Sequence, residues 1–282
     1  MSHILVDTAN TFFRARHVIR GDTSEKIGMA IHIMMNSIKK AWQDFEGTHV
    51  VFCLEGRSWR KDHYAPYKRN RKEMADAMTE KEKEENEVFW ECFDDFCDFI
   101  KTKTNVTVLR NARTEADDLI ARWIDKHPDQ KHVIISTDKD LNQLVAPNVK
   151  QYNGITETTL THQGWFDKKG DPVIDKKLKA PKPAPDTEWM IFEKAMRGDP
   201  PDNIFSAYPG VRTKGTKNKI GLQEAFADRK EKGYTWNNLM LSKWVDHDGK
   251  EHRVMEDYER NRLLVDLHAQ PEAIIEELDQ TI

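Results

Sequence analysis

The chain has 282 residues, of which 38% are hydrophobic and 33% charged, and its formal net charge is −4 at pH 7. This length suffices for one large domain or two smaller ones with an ordinary hydrophobic core. No run of eighteen apolar residues occurs, and the N-terminal MSHILVDTAN lacks the pattern of a signal peptide, so we expect a cytoplasmic protein without a membrane segment. The acidic net charge does not itself indicate nucleic-acid binding, so such a function must depend on where the charges lie.

Two short apolar strands are predicted within the first 56 residues, and each carries an acidic residue. HILVD, residues 3–7, ends at Asp7, and VVFCLEG, residues 50–56, contains Glu55. Functional groups of open α/β sheets gather at the carboxyl ends of the strands. Asp7 and Glu55 are therefore candidate members of one site.

A basic segment with interleaved aromatic residues follows the second strand. In RSWRKDHYAPYKRNRK, residues 57–72, seven Lys or Arg residues accompany a single acidic residue. Cations can neutralise phosphates and aromatic rings can stack on bases, although core packing is the favoured interpretation of Trp59, Tyr64 and Tyr67. We expect residues 57–87 to extend from the core into solvent. The basic residues are Arg57, Arg60, Lys61, Lys68, Arg69, Arg71 and Lys72.

The amphipathic stretch after this segment is predicted to be a helix. It contains Cys92 and Cys97, which together with Cys53 show no paired spacing typical of a metal site. We interpret all three cysteines as reduced packing thiols.

Two acidic blocks are predicted at the starts of helices in the middle of the chain. In TEADDLIARWI, Glu115 and Asp118 are three residues apart and share a helix face, with Asp117 beside them. In VIISTDKDL, a buried strand leads to Asp138 and Asp140 and then to a helix. Helix capping and favourable interaction with the helix dipole are the alternative explanations of these acids.

A proline-rich stretch separates the last third of the chain from the rest. KAPKPAPD, residues 179–186, contains three prolines, which resist both helix and central strand, so we place a domain boundary there. Beyond it, MRGDPPDNIF places Asp199 and Asp202 in a tight turn, for which ordinary turn chemistry is the alternative explanation. The predicted domains are residues 1–178, with an excursion at about 57–100, and residues 179–282.

The acidic residues at these strand ends and turns share one chemical implication. Several carboxylates at one locus repel each other unless cations or raised pKa values neutralise them. Oxygen ligands without His or Cys suit Mg²⁺ or Mn²⁺ better than zinc, and two such ions can activate water and stabilise the leaving oxygen of a phosphodiester. The candidate ligands are Asp7, Glu55, Glu115, Asp117, Asp118, Asp138, Asp140, Asp199 and Asp202.

Five blocks carry a family resemblance over most of the chain. ILVDTAN, WRKDHYAPYKRNRK, TEADDLIAR, ISTDKDL and GDPPDN, in this order, resemble the flap endonuclease and 5′-3′ exonuclease family, especially its bacteriophage branch that includes phage RNase H. The late YERNRLLVDLHAQPEAI is similar to the C-terminal helical part of phage members. The resemblance implies an α/β fold with a mostly parallel central sheet flanked by helices, a helical arch, and a C-terminal helical region that completes the metal site and binds duplex.

The resemblance also implies an activity. Family members hydrolyse phosphodiester bonds near 5′ ends, and the nine acids would hold two Mg²⁺ or Mn²⁺ ions. The implied substrates are DNA with 5′ single-stranded flaps, nicked duplex and RNA–DNA hybrid, as in primer removal during replication. Candidate partners are a single-strand-binding protein and other replication proteins. We expect a monomer without a membrane partner, in the host cytoplasm if the chain comes from a phage.

Within the basic segment, the resemblance assigns catalytic roles by motif position. Arg60, Lys68 and Arg71 match the basic positions of the WR and YKxNR motifs, which implies that they hold the scissile phosphate beneath the arch. The other basic residues of the segment are candidate nucleic-acid contacts, namely Arg57, Lys61, Arg69 and Lys72.

The chain departs from the family pattern in two places. The family usually has an aspartate after the second strand, where this chain has Cys53, Leu54 and Glu55, and counting back from the WR motif favours Glu55 as the substitute. In GVRTKGTKNKIGLQEAF, residues 210–226, many members carry a glycine-rich helix-turn-helix that grips duplex and a potassium ion. Here the stretch is basic but irregular, which leaves the potassium site in doubt. The candidate duplex contacts are Arg212, Lys214, Lys217 and Lys219.

Two other functions remain open from the sequence. A PIN-like ribonuclease also gathers acids at the ends of parallel strands, although it is typically shorter and is not expected to have the arch. A non-catalytic protein that binds branched DNA could keep the same fold. Metal dependence and substrate preference distinguish these alternatives.

Overall fold

The computed structural model describes residues 1–18, 21–217 and 219–282, which form two compact units. One unit boundary falls between Pro185 and Asp186, at the end of the proline-rich stretch, and the second unit also takes in part of the basic segment. The first unit comprises Met1–Trp59, Ala77–Pro185 and Pro271–Ile282, and the second comprises Arg60–Asp76 and Asp186–Gln270.

Strands and helices alternate in the first half of the chain, as the sequence patterns predict. The strands are β1 (Ser2–Asp7), β2 (His49–Leu54), β3 (Thr107–Arg110), β4 (Lys131–Ile135), β5 (Val149–Asn153), β6 (Thr158–Thr161), β7 (Gly164–Phe166), β8 (Ile174–Asp175), β9 (Ala180–Pro181), β10 (Lys243–Val245) and β11 (Glu251–Arg253). The α-helices are α1 (Thr8–Val18), α2 (Thr23–Asp44), α3 (Arg60–His63), α4 (Arg69–Asp76), α5 (Glu80–Lys103), α6 (Ala116–Lys126), α7 (Thr187–Arg197), α8 (Leu222–Ala227), α9 (Tyr234–Met240), α10 (Val254–Val265) and α11 (Glu272–Thr281). Short 3₁₀ helices cover Asp140–Leu144 and Pro200–Asp202.

Over the described residues, a seven-stranded sheet of order β3-β2-β1-β4-β5-β6-β7 forms the centre of the first unit. Neighbouring strands from β3 to β5 pair in parallel, with Val6 opposite both Phe52 and Ile135, and β5, β6 and β7 pair antiparallel. The predicted mostly parallel α/β sheet is confirmed. Because parallel strands run in one direction, β1, β2 and β4 end at the same edge of the sheet.

Helices cover both faces of this sheet. Ile4 and Val6 pack with residues of α1, α2 and α5 in one buried cluster that includes Phe89. Side chains alternate along a strand, so Leu5 points to the opposite face, where α6 contacts β1, β2 and β3 and Leu119 is fully buried. Helix α11 packs against α6. The three cysteines are free thiols, as the sequence predicts.

The second unit is largely helical. Helices α7 and α10 pack together, and Phe192, Met196 and Trp236 belong to the core beside them. Helix α7 ends at Arg197 and is capped by Gly198, whose φ is +78° and where a Cβ atom would lie 2.3 Å from the Ile204 carbonyl oxygen. Glycine thus permits the sharp turn into GDPPDN.

Across the described ranges, no helix combines the length and the apolar character that crossing a bilayer requires.

Candidate metal centre and nucleic-acid interface

Five carboxylates from four segments interact at the carboxyl edge of the parallel strands. Asp7 ends β1, Glu55 follows β2, and Asp138 lies three residues beyond β4. Glu115 and Asp117 come from the start of α6. We call this set the acidic cluster. The strand ends predicted from the sequence therefore converge within the first unit.

Burial and mutual repulsion disfavour negative charge in the acidic cluster. Burial, followed by the charge of Glu55, raises the pKa of Asp7 to about 7. Burial also raises the pKa of Asp117 well above its ordinary value, and the charges of Asp7, Asp138, Glu55 and Glu115 add to this effect. Carboxylates in this situation either take up protons or bind cations. The cluster has the charge and the oxygen donors that a hard divalent cation requires.

Ser136 connects two members of the acidic cluster. Its hydroxyl donates a hydrogen bond to Asp7 Oδ2 at 2.6 Å and accepts one from the Asp138 backbone N–H at 3.0 Å. Asn10 Oδ1 accepts the Thr137 backbone N–H at 3.1 Å, which fixes the same loop. Ser136 and Asn10 are not among the site residues predicted from the sequence, although they lie within the blocks ISTDKDL and ILVDTAN, respectively.

The loop that carries Asp138 continues directly into Asp140. Asp138 Oδ1 accepts the Asp140 backbone N–H at 2.9 Å, and Gln143 Nε2 donates to the Asp140 carbonyl at 2.8 Å. Gln151 on β5 donates to the Asp138 carbonyl at 2.6 Å. Asp140, half-buried, begins the 3₁₀ helix, while Lys139 is exposed. These bonds fix the conformation of the DKD loop from both sides.

At the end of β2, Glu55 is better suited to bind a metal ion than Cys53 and Leu54, the two residues before it. Leu54 is buried, and burial, together with the charges of Asp7, Asp117 and Glu55, raises the pKa of the Cys53 thiol well above its ordinary value. A thiol held protonated is a poor metal ligand. Glu55 Oε2 accepts the Ala116 backbone N–H at 3.2 Å, at the start of α6. The geometry therefore favours Glu55 as the carboxylate that this strand contributes.

Asp118 and Glu115 fix the start of α6. Asp118 is fully buried, and its Oδ2 accepts hydrogen bonds from Trp59 Nε1 at 3.2 Å and from the Glu115 backbone N–H at 3.1 Å. Glu115 Oε2 accepts the Ser58 hydroxyl at 3.0 Å. Trp59 is itself fully buried, so it packs and donates rather than presenting a stacking surface. These bonds give Asp118 a positioning role whether or not it also binds metal.

In the second unit, the predicted ligand Asp202 is surrounded by predicted phosphate contacts. Arg71 Nη2 lies 2.7 Å from Asp202 Oδ1, and Lys68 Nζ lies 3.6 Å from Oδ2. The Tyr67 hydroxyl also donates to Oδ2 at 3.2 Å. The basic segment thus contacts the Asp202 carboxylate of the GDPPDN turn, although the two segments are distant in sequence.

Further contacts join the same two segments. Asn203 Nδ2 donates to the Pro66 carbonyl at 2.7 Å, and Asn70 Nδ2 donates to the Pro201 carbonyl at 3.2 Å. Asn203 adopts a left-handed conformation with φ +55°, which asparagine tolerates better than most residues. The other aspartate of the turn, Asp199, pairs instead with α7, through its Oδ2 and Lys194 Nζ at 2.8 Å. The turn therefore fixes residues 66–71 through several independent bonds.

The remaining basic residues differ in exposure. Arg60 is 2% exposed and donates from Nε to the Leu264 carbonyl at 2.8 Å, which favours a structural role over contact with a phosphate. Tyr67 is buried and Tyr64 is half-buried, in agreement with packing. The exposed members of the segment are Arg57, Lys61, Arg69, Arg71 and Lys72.

The predicted duplex contacts lie in the loop before α8, where Glu224 binds the backbone at two positions. Glu224 accepts the backbone N–H groups of Gly215 and Gly221, each at 3.0 Å to Oε2. Cβ atoms on these glycines would approach opposing backbone atoms within 2.6 Å, so the loop requires glycine at both positions. The four cations of this loop are exposed: Arg212, Lys214, Lys217 and Lys219.

Comparison with known proteins identifies sequence relatives. Residues 2–170 match the model of a family described as the 5′-3′ exonuclease, N-terminal resolvase-like domain. The flap endonuclease Xni of Aeromonas hydrophila is 31% identical over 157 residues, covering 52% of this chain and 54% of that protein. DNA polymerase I of Rhizobium leguminosarum is 27% identical over 241 residues, covering 79% and 20%, respectively. The chain thus spans about half of Xni and a fifth of the polymerase.

Solved structures share the fold. The bacteriophage T5 D15 protein co-crystallised with metal ions aligns with a TM-score of 0.66 and 23% identity, covering 100% of this chain and 97% of that one. A T5 D15 flap endonuclease variant in complex with DNA and metal ions aligns with a TM-score of 0.65 and 21% identity, covering 99% and 97%.

Proposed function

Because this chain belongs to the 5′-3′ exonuclease family, we propose that it is a metal-dependent nuclease that cleaves phosphodiester bonds near 5′ ends. The observation that carries the proposal is the acidic cluster, where carboxylates from several segments repel each other at one edge of the sheet. Two matched proteins, Xni and T5 D15, are named flap endonucleases, and we propose the same activity for this chain. The proposed substrates are 5′ flaps, nicked duplexes and RNA–DNA hybrids, as in primer removal.

The proposed cofactor is a pair of Mg²⁺ or Mn²⁺ ions. The acidic cluster fits these ions because its donors are oxygens and its neighbouring thiol, Cys53, is held protonated. Such ions, when bound, activate water and stabilise the charge on the phosphodiester oxygens. We leave potassium out of the proposal because residues 210–226 are basic and irregular rather than a compact glycine-rich motif. The proposed ligands are Asp7, Glu55, Glu115, Asp117, Asp118, Asp138, Asp140, Asp199 and Asp202.

The proposed roles of the basic residues follow from charge and exposure. Lys68 and Arg71 neutralise the phosphoryl oxygens, where charge builds up during cleavage. Their pairing with Asp202 supports this role because it orients both cations before substrate arrives. Arg57, Lys61, Arg69 and Lys72 contact the single strand, and the loop at 212–219 contacts the duplex backbone.

A nuclease assay on labelled substrates tests the proposal. We expect 5′-labelled flap, nicked duplex and RNA–DNA hybrid to be cleaved near the 5′ end with Mg²⁺ or Mn²⁺ and to survive in excess EDTA. Undiminished cleavage in EDTA would contradict the metal mechanism. Cleavage of structured RNA alone would favour a PIN-like ribonuclease, and binding of branched DNA without cleavage would favour a non-catalytic protein.

A further inference from the structure

A third concentration of positive charge lies in the first unit, outside the basic segment and the loop at 212–219. Residues 168–182 contain six lysines and two aspartates, a net charge of +4 in a chain whose net charge is −4. We call this stretch the lysine-rich segment. Its lysines are Lys168, Lys169, Lys176, Lys177, Lys179 and Lys182.

The lysine-rich segment forms a separate two-stranded sheet that is hydrogen-bonded to β7 at the edge of the central sheet. Strands β8 and β9 form a small hairpin. Val173 donates its backbone N–H to the Trp165 carbonyl at 2.8 Å, and Trp165 donates to the Lys182 carbonyl at 3.2 Å, which attaches the hairpin to β7. Lys182 in turn donates to the Val173 carbonyl at 2.7 Å. Binding would therefore require little additional ordering of the backbone, which lowers its entropic cost.

Two aspartates near the lysines are committed to the backbone of the turns. Asp167 Oδ1 accepts the backbone N–H groups of Lys169 at 2.8 Å and Asp171 at 3.0 Å. Asp175 Oδ1 accepts those of Lys177 at 2.8 Å and Leu178 at 2.9 Å. These carboxylates stabilise the turns that carry the lysines. Substituting either aspartate would therefore disturb its turn as well as remove a negative charge.

Most of the ammonium groups are available to an anionic partner. Lys168 pairs with Glu157 at 3.4 Å. Within the part of the chain that the structure describes, Lys169, Lys176, Lys177 and Lys179 are exposed and form no salt bridge, although the charges of Lys169 and Lys177 act on the nearby Asp167 and Asp175. The excess of positive charge on this surface is self-repelling, and a polyanion relieves that repulsion.

The partner that fits this surface is a phosphate backbone rather than stacked bases. Residues 168–182 contain no aromatic side chain, and the Trp165 ring beside them is covered by Lys182 Nζ, 3.9 Å from its centroid. Base stacking needs an accessible ring, whereas lysine binds phosphate as a point charge. We propose that the lysine-rich segment binds the backbone of duplex DNA independently of sequence, as a surface additional to the loop at 212–219. The proposal rests on the proposed nuclease function.

A charge-matched pair of variants tests the proposal. Lys176→Ala/Lys177→Ala removes two cations from the segment, and Lys101→Ala/Lys103→Ala removes two exposed lysines without ion pairs from the last turn of α5. Binding is measured with Mg²⁺ on a dumbbell duplex that has no free 5′ end, from 50 to 200 mM salt. The dumbbell keeps binding separate from cleavage.

The segment variant should bind the dumbbell about 5-fold or more weakly at 0.1 M salt. The slope of log affinity against log salt should fall by roughly 0.9 for each lost phosphate contact. The control variant should match the wild type, and both should keep its thermal midpoint. As a second variant, Lys179→Glu should weaken binding in the same direction.

The possible outcomes separate this proposal from the proposed function. If the wild type cleaves flaps and binds the dumbbell but the segment variants keep its affinity and slope, the lysine-rich segment is not a binding surface. If the segment and control variants lose affinity equally, the effect is one of net charge and the proposal also fails. If the wild type neither binds nor cleaves any nucleic acid, the proposed function fails together with it.

Discussion

Ser136 shows how one uncharged residue can control a set of charged ones. Its hydroxyl bonds both Asp7 and the backbone of Asp138, and it is 2% exposed. Without it, Asp7 would lose a hydrogen bond that favours its ionised form. The position of the DKD loop relative to β1 would also be less defined. A buried hydroxyl therefore tunes two proposed metal ligands together.

Ser136→Ala is accordingly expected to weaken metal capture more than it slows cleavage at saturating metal. Residues that orient ligands typically contribute about 10- to 100-fold to metal affinity. Calorimetric titration with Mg²⁺ measures the affinity, and single-turnover cleavage at rising Mg²⁺ should show recovery at high concentration. Equal loss at all Mg²⁺ concentrations would instead mean that the variant disrupts the site as a whole.

Asp138→Asn tests a proposed ligand without altering the shape of its loop. The amide oxygen can still accept the Asp140 backbone N–H, which now bonds Asp138 Oδ1 at 2.9 Å. We expect cleavage to fall by about 100-fold or more, equivalent to roughly 2.7 kcal/mol, because a cation ligand is lost. Binding of a flap substrate should be retained or strengthened, because one charge that repels phosphate is removed.

The matched control is Asp129→Asn, which removes the charge of an exposed loop aspartate in the same unit. It should leave cleavage and binding unchanged. If Asp138→Asn loses binding and cleavage in parallel, Asp138 is a structural residue and not a ligand.

At the residue level, the position of an acidic residue along the chain predicted candidate metal ligands but not the hydrogen bonds that they form. Asp7 and Asp138 could be proposed because they follow apolar strands, and Glu55 because it follows the second. The bond from the Ala116 amide to Glu55 and that from Trp59 to Asp118 each span about sixty residues. Such bonds depend on how strands are ordered in the sheet, which no local pattern encodes.

At the level of elements, hydrophobic periodicity predicted β1, β2 and β4 to within a few residues. The helix expected after Asp140 is instead a five-residue 3₁₀ helix. Leu141 and Leu144 are three residues apart, a spacing that places side chains on one face of either helix type. The strand order and the short β3 were not predicted, because parallel strands pair through crossovers whose path a single sequence does not specify.

The basic segment and the GDPPDN turn form a second structural element, whose cations can be tested separately from the metal ligands. Lys68→Ala and Arg71→Ala should each slow single-turnover flap cleavage by about 10-fold or more, equivalent to roughly 1.4 kcal/mol of lost transition-state stabilisation. Helix α4, where Arg71 lies, buries no side chain. For Arg71→Ala the free energy of unfolding should change by less than about 1 kcal/mol, because the Arg71 side chain is 56% exposed.

Lys83→Ala is the control for this element, since Lys83 is a surface lysine paired with Glu80 in α5. It should cleave flaps at the wild-type rate. Arg71→Lys should recover only part of the activity, because lysine cannot reproduce the planar geometry of the guanidinium group. Wild-type rates for both alanine variants, with metal saturating, would show that residues 57–72 are an ordinary solvated surface.

In the first unit as a whole, the two edges of the parallel sheet carry different ionisable side chains, carboxylates at one edge and histidines at the other. The acidic cluster lies at the carboxyl edge, and a cluster of histidines lies where β1, β2 and β4 begin. The His3 ring is 5.2 Å from those of His127 and His132 and 6.1 Å from that of His49. His3 Nδ1 accepts the Trp123 Nε1–H at 3.0 Å. Burial, followed by the charge of His132, lowers the pKa of His3 to about 4.

The two edges should affect stability in opposite directions as the pH falls. A histidine whose folded pKa is depressed stabilises the fold fully above pH 6.5, and this contribution is lost as the pH falls towards about 4. In metal-free protein, Asp7 has a folded pKa raised from 3.8 to about 7, so its protonation between these values favours the folded state. Bound Mg²⁺ reverses the second effect, because it requires ionised carboxylates and competes with protons.

We therefore expect the stabilisation of the fold by a fixed concentration of Mg²⁺ to grow between pH 6 and pH 8. Urea unfolding with Mg²⁺ or EDTA at each pH measures this difference.

Separately, His3→Asn, which keeps an acceptor for Trp123, should reduce the loss of stability below pH 6.5 by up to about 1.4 kcal/mol per pH unit. His247→Asn, at a site whose side chain is 90% exposed, should not. A pH-independent effect of Mg²⁺ would indicate that the ions bind away from the acidic cluster. If His3→Asn loses as much stability below pH 6.5 as the wild type does, His3 is not the source of that loss.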